Sequence, residues 1–336
     1  MKIKWCIIGA GGIADRRTIP AIIKDGNSEL VAVMDRVPAV AEAIGKKYGV
    51  PYFTNEEEML KATECDAVYI GTPVMCHYEQ AMTALRFGKH AFVEKPVAIT
   101  AKESRALVDA FKQSGKQITI GYMMKHHNLH ELAKAWIKND QIGQVNNIRA
   151  QFSCWYPDIA GAWRQTKALG GGGAIMDLGV HCIELIEYLL DDEIEEVKSL
   201  YSTRTFSYEV EDCGVIIFKT KGGVLGHIDV NFNIPDLASE SKLELYGSKG
   251  YILCKGTLGQ EETGSMAHLY APQGDYSAMQ NRTASEPVLY TGGGADLYGK
   301  QIAAFVKILQ NGTPDYFYAD RAVQVQEIVD KIYNEN

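Results

Sequence analysis

The first third of the chain alternates short apolar runs with segments whose apolar residues recur every three or four positions. Five apolar runs predict strands, at residues 2–8, 30–34, 67–70, 90–93 and 117–120. Helical periodicity predicts helices between them, at residues 40–48, from 54 onward, 77–87 and 102–113. Strands and helices that alternate in this way build a parallel sheet with helices on both faces. We therefore predict a doubly wound α/β domain over residues 1–121.

After residue 121 the pattern changes from alternation to a series of strands. Helices are predicted at residues 129–138 and 174–190, with a strand at 145–153. Five β runs follow, at residues 197–205, 213–220, 224–231, 242–246 and 251–254. Because short glycine turns join consecutive strands, the series favours a mostly antiparallel sheet.

The last part of the chain begins with a polar stretch at residues 258–291, which we expect to be irregular. Two helical patterns follow, at residues 297–309 and 319–332. We predict that residues 122–336 form a second, α+β domain, whose closing helices can pack back on the first domain.

A glycine-rich loop, Gly9-Ala10-Gly11-Gly12-Ile13-Ala14, directly follows the first predicted strand. Gly9 permits a tight turn, Gly11 leaves room for a pyrophosphate, and Ala14 allows the next helix to pack closely on the sheet. The start of that helix supplies N–H groups and the positive end of a dipole. The loop therefore predicts a dinucleotide site.

Asp35 ends the second predicted strand, about 20 residues after the loop. A carboxylate at this position accepts hydrogen bonds from both ribose hydroxyls of an adenosine and repels a 2′-phosphate. NAD(H) is therefore favoured as cofactor. NADP(H) stays possible, because Arg36 beside Asp35 can bind a 2′-phosphate.

Glu94-Lys95-Pro96 follows another predicted strand. Parallel sheets bind their ligands at the carboxyl ends of strands, so Lys95 is predicted at the rim of the cofactor crevice. A cis bond before Pro96 would be one way to aim its side chain. The alternative is a solvent-exposed lysine before a loop proline.

Four glycines, Gly170–Gly173, precede a strong helix, and we expect them to leave its start exposed. Asp177 and His181 lie four residues apart on one face of this helix. Histidine has an ordinary pKa of about 6.5, which suits reversible proton transfer during alcohol oxidation, and Asp177 can raise its basicity. The alternative is a carboxylate that stabilises the helix dipole and an incidental surface histidine. The opposite face is predicted to pack on the core, through Ile175, Leu178, Cys182, Leu185 and Leu189.

Composition narrows the function classes. A net charge of −8 without a lysine or arginine run argues against a nucleic-acid surface and against binding to anionic membranes. No segment resembles a signal peptide or a membrane span, and seven scattered cysteines without a CxxC pair suggest reduced thiols in a cytoplasmic protein. His127 and His130 are spaced for one helix face, but no nearby cysteine or acidic pair completes a metal site, so we predict none.

Taken together, the glycine loop, the Glu94-Lys95-Pro96 tripeptide and the GGGxxxDxGxH pattern ending at His181 resemble the Gfo/Idh/MocA oxidoreductases over essentially the whole chain. The resemblance implies a Rossmann domain and a C-terminal α/β domain whose open sheet often forms oligomer contacts. It also implies NAD(P)-dependent oxidation or reduction at a hydroxyl or keto carbon of a sugar, polyol or related compound.

The same resemblance assigns roles to residues. Lys95, Asp177 and His181 match the catalytic positions, with His181 as the acid/base. Residues 161–164 and Tyr298 are similar to cofactor contacts of the 1,5-anhydrofructose reductase branch, in which a serine stands at the position of Asp35. The predicted cofactor contacts are Gly9, Gly11, Gly12, Ile13, Ala14, Asp35, Arg36, Gly71, Thr72, Pro73, His77, Glu94, Lys95, Trp163, Arg164 and Tyr298.

The substrate is expected to meet aromatic faces on one side and polar donors on the other, as a polyhydroxylated ligand requires. The predicted substrate contacts are Lys95, Tyr122, Lys125, His126, Trp163, Asp177 and His181. A structural role is the alternative for Tyr122, Lys125, His126 and Trp163.

Two other functions fit the same fold. One is a sensor that binds a dinucleotide and a sugar without turnover, and the other is a redox-neutral, NAD-dependent lyase or hydrolase. The set Lys95, Asp177 and His181 argues against the sensor, because binding alone requires no acid/base group. The open sheet predicts a homodimer or homotetramer, because an apolar outer face would need a second subunit to cover it.

Overall fold

The computed structural model describes residues 2–276, 278, 286–294 and 296–335, and the chain divides into two compact units. The first unit contains the residues up to Tyr122 together with Thr166–Gly171 and Tyr298–Asp330. The second contains Met123–Gln165, Gly172–Leu297 and the residues from Lys331 onward.

The strands are numbered in chain order: β1 (Ile3–Ile8), β2 (Ser28–Met34), β3 (Tyr52–Phe53), β4 (Ala67–Ile70), β5 (His90–Val93), β6 (Ile118–Ile120), β7 (Val145–Ser153), β8 (Ile194–Ser202), β9 (Cys213–Thr220), β10 (Leu225–Asn231), β11 (Lys242–Gly247), β12 (Gly250–Lys255), β13 (Ser265–Tyr270) and β14 (Val288–Thr291).

The α-helices are α1 (Ile19–Lys24), α2 (Pro38–Tyr48), α3 (Glu56–Ala62), α4 (His77–Arg86), α5 (Ala101–Ser114), α6 (Asn128–Lys138), α7 (Lys167–Gly170), α8 (Val180–Leu190), α9 (Leu297–Asn311) and α10 (Phe317–Asn334). Short 3₁₀ turns lie at Val74–Cys76, Met124–His126, Trp163–Gln165 and Asp236–Ala238. Two π-helical turns lie at Ala14–Thr18 and Ile175–Gly179, directly before α1 and α8.

The first unit has a six-stranded parallel sheet in the order β3-β2-β1-β4-β5-β6. This is the strand order of a Rossmann fold, in which both faces of the sheet are covered. Every residue of β4 is buried, which explains why the inner strands are continuous apolar runs rather than alternating ones. The predicted doubly wound α/β fold is confirmed.

The second unit has an eight-stranded sheet in the order β14-β13-β12-β11-β7-β10-β9-β8. Its neighbouring strands are antiparallel, except that β7 and β10 are parallel. Alternate residues of β9 and β10 are buried, and α8 together with the π-helical turn before it packs against the inner face. The predicted mostly antiparallel, open sheet is confirmed.

Residues 258–291 differ from the prediction, because they contain β13 and β14. These strands lie at one edge of the sheet, where alternation is weak: most of β14 is exposed. Residues 277 and 279–285 of the same stretch lie outside the described residues.

Strand β8 also ends earlier than predicted, at Ser202 rather than at residue 205. The physical reason is the Asp212 carboxylate, which accepts hydrogen bonds from the N–H groups of Arg204, Thr205 and Phe206 at 2.7–3.1 Å. Those N–H groups bind a side chain instead of a neighbouring strand, so the chain turns there.

Helix starts follow the local sequence where a capping residue is present. The Asn55 side chain accepts a hydrogen bond from the N–H of Glu58 at the start of α3, as the sequence pattern predicts. No helix in the part of the chain that the structure describes is long and apolar enough to cross a membrane.

Candidate active site

The carboxyl ends of the parallel strands in the first unit are in register. Ile8, the last residue of β1, pairs with Met34 of β2 and Ile70 of β4, and Ile70 pairs with Val93 of β5. The residues that follow these strands therefore lie along one edge of the sheet. Many of the predicted cofactor residues belong to this edge, beginning with Gly9, Asp35, Gly71 and Glu94.

The glycine loop crosses this edge after β1. Gly9 has a φ of +79°, and a Cβ there would lie 2.8 Å from the Thr72 backbone nitrogen, so the tight turn requires glycine. Gly12 is exposed, and a Cβ on it would meet no atom within 4 Å. Ile13 and the buried Ala14 continue into the π-helical turn. The loop thus offers an open helix start of the kind that binds phosphate.

Asp35 connects the end of β2 to the glycine loop. Its Oδ2 accepts a hydrogen bond from the N–H of Gly11 at 3.2 Å, and its Oδ1 accepts one from the N–H of Val37 at 3.0 Å. These contacts fix the carboxylate while each oxygen keeps further acceptor capacity. Arg36 is exposed beside it.

The loop after β4 contains Gly71, Thr72 and Pro73 and is tied to the loop after β5 by His77. The His77 Nε2 lies 2.8 Å from the Thr72 carbonyl oxygen, and its Nδ1 lies 2.8 Å from the Pro96 carbonyl oxygen. Burial lowers the pKa of His77, and a neutral ring donates to only one carbonyl at a time. Any contribution of His77 to cofactor binding therefore acts through the two loops it joins.

Glu94 and Lys95 follow β5, and the Lys95–Pro96 peptide bond is cis. The Tyr69 hydroxyl donates to Glu94 Oε1 at 2.8 Å, and burial raises the pKa of Tyr69 well above its usual value. Lys95 is half-buried. Tyr122 and Tyr298, also in the first unit, are buried, at 2% and 4% exposure.

In the second unit, the helix that carries Asp177 and His181 starts differently from the prediction. Gly172 and Gly173 are buried, so the expected exposed start is wrong. Both Glu211 carboxylate oxygens lie 3.0 Å from the Gly173 nitrogen, and Oε1 also accepts the N–H of Ile175 at 2.9 Å. The chain's own carboxylate therefore fills the position that a ligand anion would take. The predicted core-facing stripe of this helix is buried throughout, at Ile175, Leu178, Cys182, Leu185 and Leu189.

Asp177 is half-buried and paired. Arg164 Nε donates to Asp177 Oδ1 at 3.3 Å, and the Arg164 guanidinium carbon lies 4.2 Å from the centre of the Trp163 ring. Burial alone would lower the pKa of Arg164, but Asp177 and Tyr156 raise it. The structure thus brings three predicted residues together, Trp163, Arg164 and Asp177.

His181 is 5% exposed, so it is not an incidental surface residue. Its ring meets the Phe152 ring edge to face, with 6.3 Å between the ring centres. Because Phe152 lies in β7, the imidazole is held between α8 and the sheet. An imidazole held this way has a restricted orientation, as an acid/base group requires.

Lys125 and His126 lie in the 3₁₀ turn before α6. Lys125 Nζ forms a buried ion pair with Glu184 Oε1 at 2.6 Å. Glu184 follows His181 by three residues, so the pair lies on the same helix as the predicted catalytic residues. His126 is half-buried.

His127 and His130 are buried neighbours, with 4.8 Å between their ring centres. His130 bonds to the Met124 carbonyl and to the Thr257 hydroxyl, and His127 Nε2 lies 3.0 Å from the Thr263 carbonyl oxygen. Burial and the proximity of His127 lower the pKa of His130 to about 3. Among the described residues, no group of three or more His, Cys, Asp or Glu side chains is placed to hold a metal ion.

Four residues that make hydrogen bonds or ion pairs here were not predicted from the sequence: Tyr69, Glu184, Glu211 and Tyr333. For Glu184 a signal exists, because it follows Asp177 by seven residues and His181 by three, which is one face of a helix. Glu211 and Tyr333 offer no local signal, since their partners are distant in sequence: the bond between them spans 122 residues.

Comparisons with known proteins match both units. Residues 3–122 match the family model described as "Oxidoreductase family, NAD-binding Rossmann fold". Residues 130–253 match the "GFO/IDH/MocA C-terminal domain". The chain belongs to the Gfo/Idh/MocA oxidoreductase family. The resemblance and the prediction of an NAD(P)-dependent oxidoreductase are therefore confirmed.

The sequences of individual relatives align with most of this chain. The 1,5-anhydro-D-fructose reductase of Ensifer adhaerens is 27% identical over 265 residues, which cover 78% of this chain and 79% of the relative. The D-xylose 1-dehydrogenase (NADP(+)) 2 of Haloferax volcanii is 25% identical over 333 residues, which cover 97% and 95%. The crystal structure of aldose-aldose oxidoreductase from Caulobacter crescentus superimposes with a TM-score of 0.87 at 22% identity over 99% of this chain and 97% of that one, a likeness of fold.

Proposed function

We propose that this protein transfers a hydride between a nicotinamide cofactor and a hydroxyl or keto carbon of a sugar, polyol or related compound. The observation that carries the proposal is the helix bearing Asp177 and His181, in a chain that also has a complete dinucleotide loop. The sugar oxidoreductases among its relatives support the substrate class.

The first unit fits a dinucleotide because the space beside Gly12 of its glycine loop is open. Gly11, Gly12 and Ile13 would hold the pyrophosphate, and Asp35 would hold the adenosine ribose. When bound, the nicotinamide supplies the hydride acceptor for oxidation and the hydride donor for reduction.

The protein's own residues handle the proton. His181 takes the proton from the substrate hydroxyl during oxidation and returns it during reduction. Lys95 positions the reacting oxygen, and Asp177 orients the substrate hydroxyls while Arg164 holds its carboxylate. Binding the two reactants in a productive geometry supplies a large part of the rate.

The remaining proposed substrate contacts are Tyr122, Lys125, His126 and Trp163. Trp163 and His126 are half-buried and supply an aromatic face and a polar group. Lys125 acts as half of an ion pair, because Glu184 already holds its ammonium group. It therefore contributes a locally neutral, hydrogen-bonding surface rather than a free positive charge.

NAD(H) is the proposed preferred cofactor. The support is Asp35, whose carboxylate the N–H groups of Gly11 and Val37 hold at the end of β2. A fixed negative charge at this point attracts ribose hydroxyls and repels a 2′-phosphate. The xylose dehydrogenase relative named for NADP(+) shows that the family also contains the other preference.

A homodimer or homotetramer is the proposed assembly. The outer face of the second sheet exposes apolar residues on neighbouring strands: Leu200 is 82% exposed on β8, and Val215 and Ile217 on β9 are 47% and 57% exposed. A second copy covering this patch would remove it from water. Light scattering tests the assembly: a 37.1 kDa particle at micromolar concentration contradicts it, and Ile217→Glu should convert an oligomer into that monomer.

A substrate panel tests the proposed reaction. Free sugars, polyols, D-glucose 6-phosphate and 1,5-anhydro-D-fructose are each incubated with NAD(H) or NADP(H), and the absorbance of the reduced nicotinamide is followed. We expect turnover with at least one of them, and loss of that turnover in Lys95→Ala. Ligand binding without any turnover would instead support a sensor, and a stoichiometric cofactor that never exchanges would support the redox-neutral class.

A further inference from the structure

Two residues from distant parts of the chain close the start of the helix that bears Asp177 and His181. Glu211, two residues before β9, is 6% exposed and accepts the N–H groups of Gly173 and Ile175. Tyr333, in the last turn of α10, donates its hydroxyl to Glu211 Oε1 at 2.7 Å. We call these two residues the Glu211–Tyr333 clamp.

The glycines before the helix fit this clamp rather than a ligand. A Cβ on Gly172 would lie 2.0 Å from the Tyr333 hydroxyl oxygen, and a Cβ on Gly173 would lie 2.0 Å from the Glu211 carbonyl oxygen. The same carbonyl accepts the N–H of Ala174 at 3.1 Å. Glycine is therefore required here because the clamp approaches the backbone too closely for any side chain.

The clamp is coupled to Asp177 through one hydrogen bond. The N–H of Asp177 donates to the Gly173 carbonyl at 2.9 Å, and the Gly173 nitrogen is the one that Glu211 holds. Asp177 lies within the π-helical turn, and His181 lies in the first turn of α8 directly after it. A shift of Gly173 would thus move Asp177 first and His181 next.

We propose that Glu211 and Tyr333 are positioning residues for the hydride-transfer reaction, because they fix the helix start from which Asp177 and His181 project. The inference rests on the proposed function, in which those two residues touch the substrate. Misplacement of a reacting group by about 1 Å is enough to cost roughly 100-fold in rate, so a clamp at this point controls turnover.

Glu211→Gln tests the clamp with little change of shape. The substitution removes the charge at the helix start and places an amide NH₂ opposite the backbone N–H groups. With the fastest sugar of the panel, we expect kcat to fall about 10- to 100-fold and KM to change less than about threefold. Dinucleotide affinity should stay within about twofold of wild type, because Gly11, Gly12, Ile13 and Asp35, the proposed pyrophosphate and ribose contacts, belong to the first unit.

Tyr333→Phe is the milder variant and serves if Glu211→Gln does not fold. It removes one donor and leaves the backbone donors in place, so we expect kcat to fall about 3- to 10-fold. Tyr201→Phe is the matched control. The Tyr201 ring packs 5.5 Å from the Tyr333 ring, and its hydroxyl has no hydrogen-bond partner among the described residues, so near wild-type kcat is expected.

A double-mutant cycle separates positioning from general stability. If the clamp acts through Asp177 and His181, Glu211→Gln in a background with both Asp177→Ala and His181→Ala should change kcat less than about twofold. A lower melting temperature with wild-type kcat per folded site would overturn the clamp. So would a full, additive effect in that background.

The same variants keep this inference distinct from the proposed function. Near wild-type kcat in His181→Ala contradicts the proposed acid/base, whereas wild-type kcat in Glu211→Gln contradicts only the clamp. If no sugar of the panel is turned over, the hydrogen-exchange rates of the backbone N–H groups of residues 173–177 test whether the clamp holds the helix start. Faster exchange in Glu211→Gln and Tyr333→Phe, but not in Tyr201→Phe, is expected, and unchanged exchange refutes the clamp.

Discussion

The two glycine-rich helix starts of this protein look alike in sequence and differ in the folded chain. Each leads into a π-helical turn, at Ala14–Thr18 in the first unit and at Ile175–Gly179 in the second. In the first unit Gly12 is exposed and the space beside it is open. In the second, Glu211 occupies the helix start. A glycine-rich helix start therefore marks a place where another group can approach the backbone closely. The tertiary structure decides whether that group is a ligand or a carboxylate of the protein.

The difference assigns separate tasks to the two starts. The open start can bind the phosphates of a cofactor. The closed start cannot bind an anion in this form, because the Glu211 carboxylate already accepts the N–H groups of Gly173 and Ile175. Its proposed task is to hold the residues that follow it.

The largest expected effect is on the residue that the closed start carries. His181→Ala should lower kcat by about two to four orders of magnitude, because it removes the group that we propose moves the substrate proton. Dinucleotide affinity, measured by fluorescence titration, should stay near wild type. A variant with nearly wild-type turnover across the pH range would transfer the acid/base role to Lys95 or to another residue.

The next largest effect concerns the residue beside the open start. Asp35→Ser would remove the two charge-assisted hydrogen bonds that we propose Asp35 accepts from the ribose, which should weaken NAD(H) binding by about 2 to 4 kcal/mol. Preference should shift toward NADP(H), helped by Arg36. Calorimetric titration of both cofactors measures the shift in preference. Equal affinity of the wild type for NAD(H) and NADP(H) would contradict the proposed role of Asp35 in that preference.

Alanine at one glycine of each start tests the comparison directly. Gly173→Ala should reduce the free energy of unfolding by about 2 to 3 kcal/mol, because its Cβ would lie 2.0 Å from the backbone carbonyl oxygen of Glu211. At Gly11 the nearest atom to a Cβ is Val40 Cγ1 at 3.2 Å, which can move.

Gly11→Ala should therefore cost less than about 1 kcal/mol of stability but weaken dinucleotide binding at least about tenfold. Urea unfolding and fluorescence titration measure the two quantities on both variants. If Gly173→Ala were as stable as Gly11→Ala, the second start would not be closed in solution.

The smallest expected effect is a pH dependence of stability in the second unit. Burial lowers the pKa of His130 to about 3, so its contribution to stability is complete above its ordinary pKa of 6.5 and is lost as pH falls toward 3. We expect the free energy of unfolding to decrease by about 1 kcal/mol between pH 6 and pH 5. In His130→Gln, urea unfolding should show a weaker dependence of the free energy of unfolding on pH. An unchanged pH dependence would mean that another titratable group causes the effect.

The sequence by itself determined the architecture of both units. The bounds of β4, β5, β7 and β9 coincide with the predicted runs, because the pattern of apolar residues that marks each of these strands lies within the strand itself. The glycine loop and Asp35 were also readable, since each is explained by its own position after a strand. All of these features could be predicted because each depends on residues that are close together in the sequence.

Only the tertiary structure decided what surrounds those motifs. The ties through His77, the Lys125–Glu184 ion pair and the Glu211–Tyr333 clamp each join segments that are distant in sequence. The edge strand β14 could not be predicted from the sequence either. It is defined by its pairing with β13 more than by any alternation of buried and exposed residues along it. Periodicity records which face of an element is buried, but the partner on that face is chosen only when the whole chain packs.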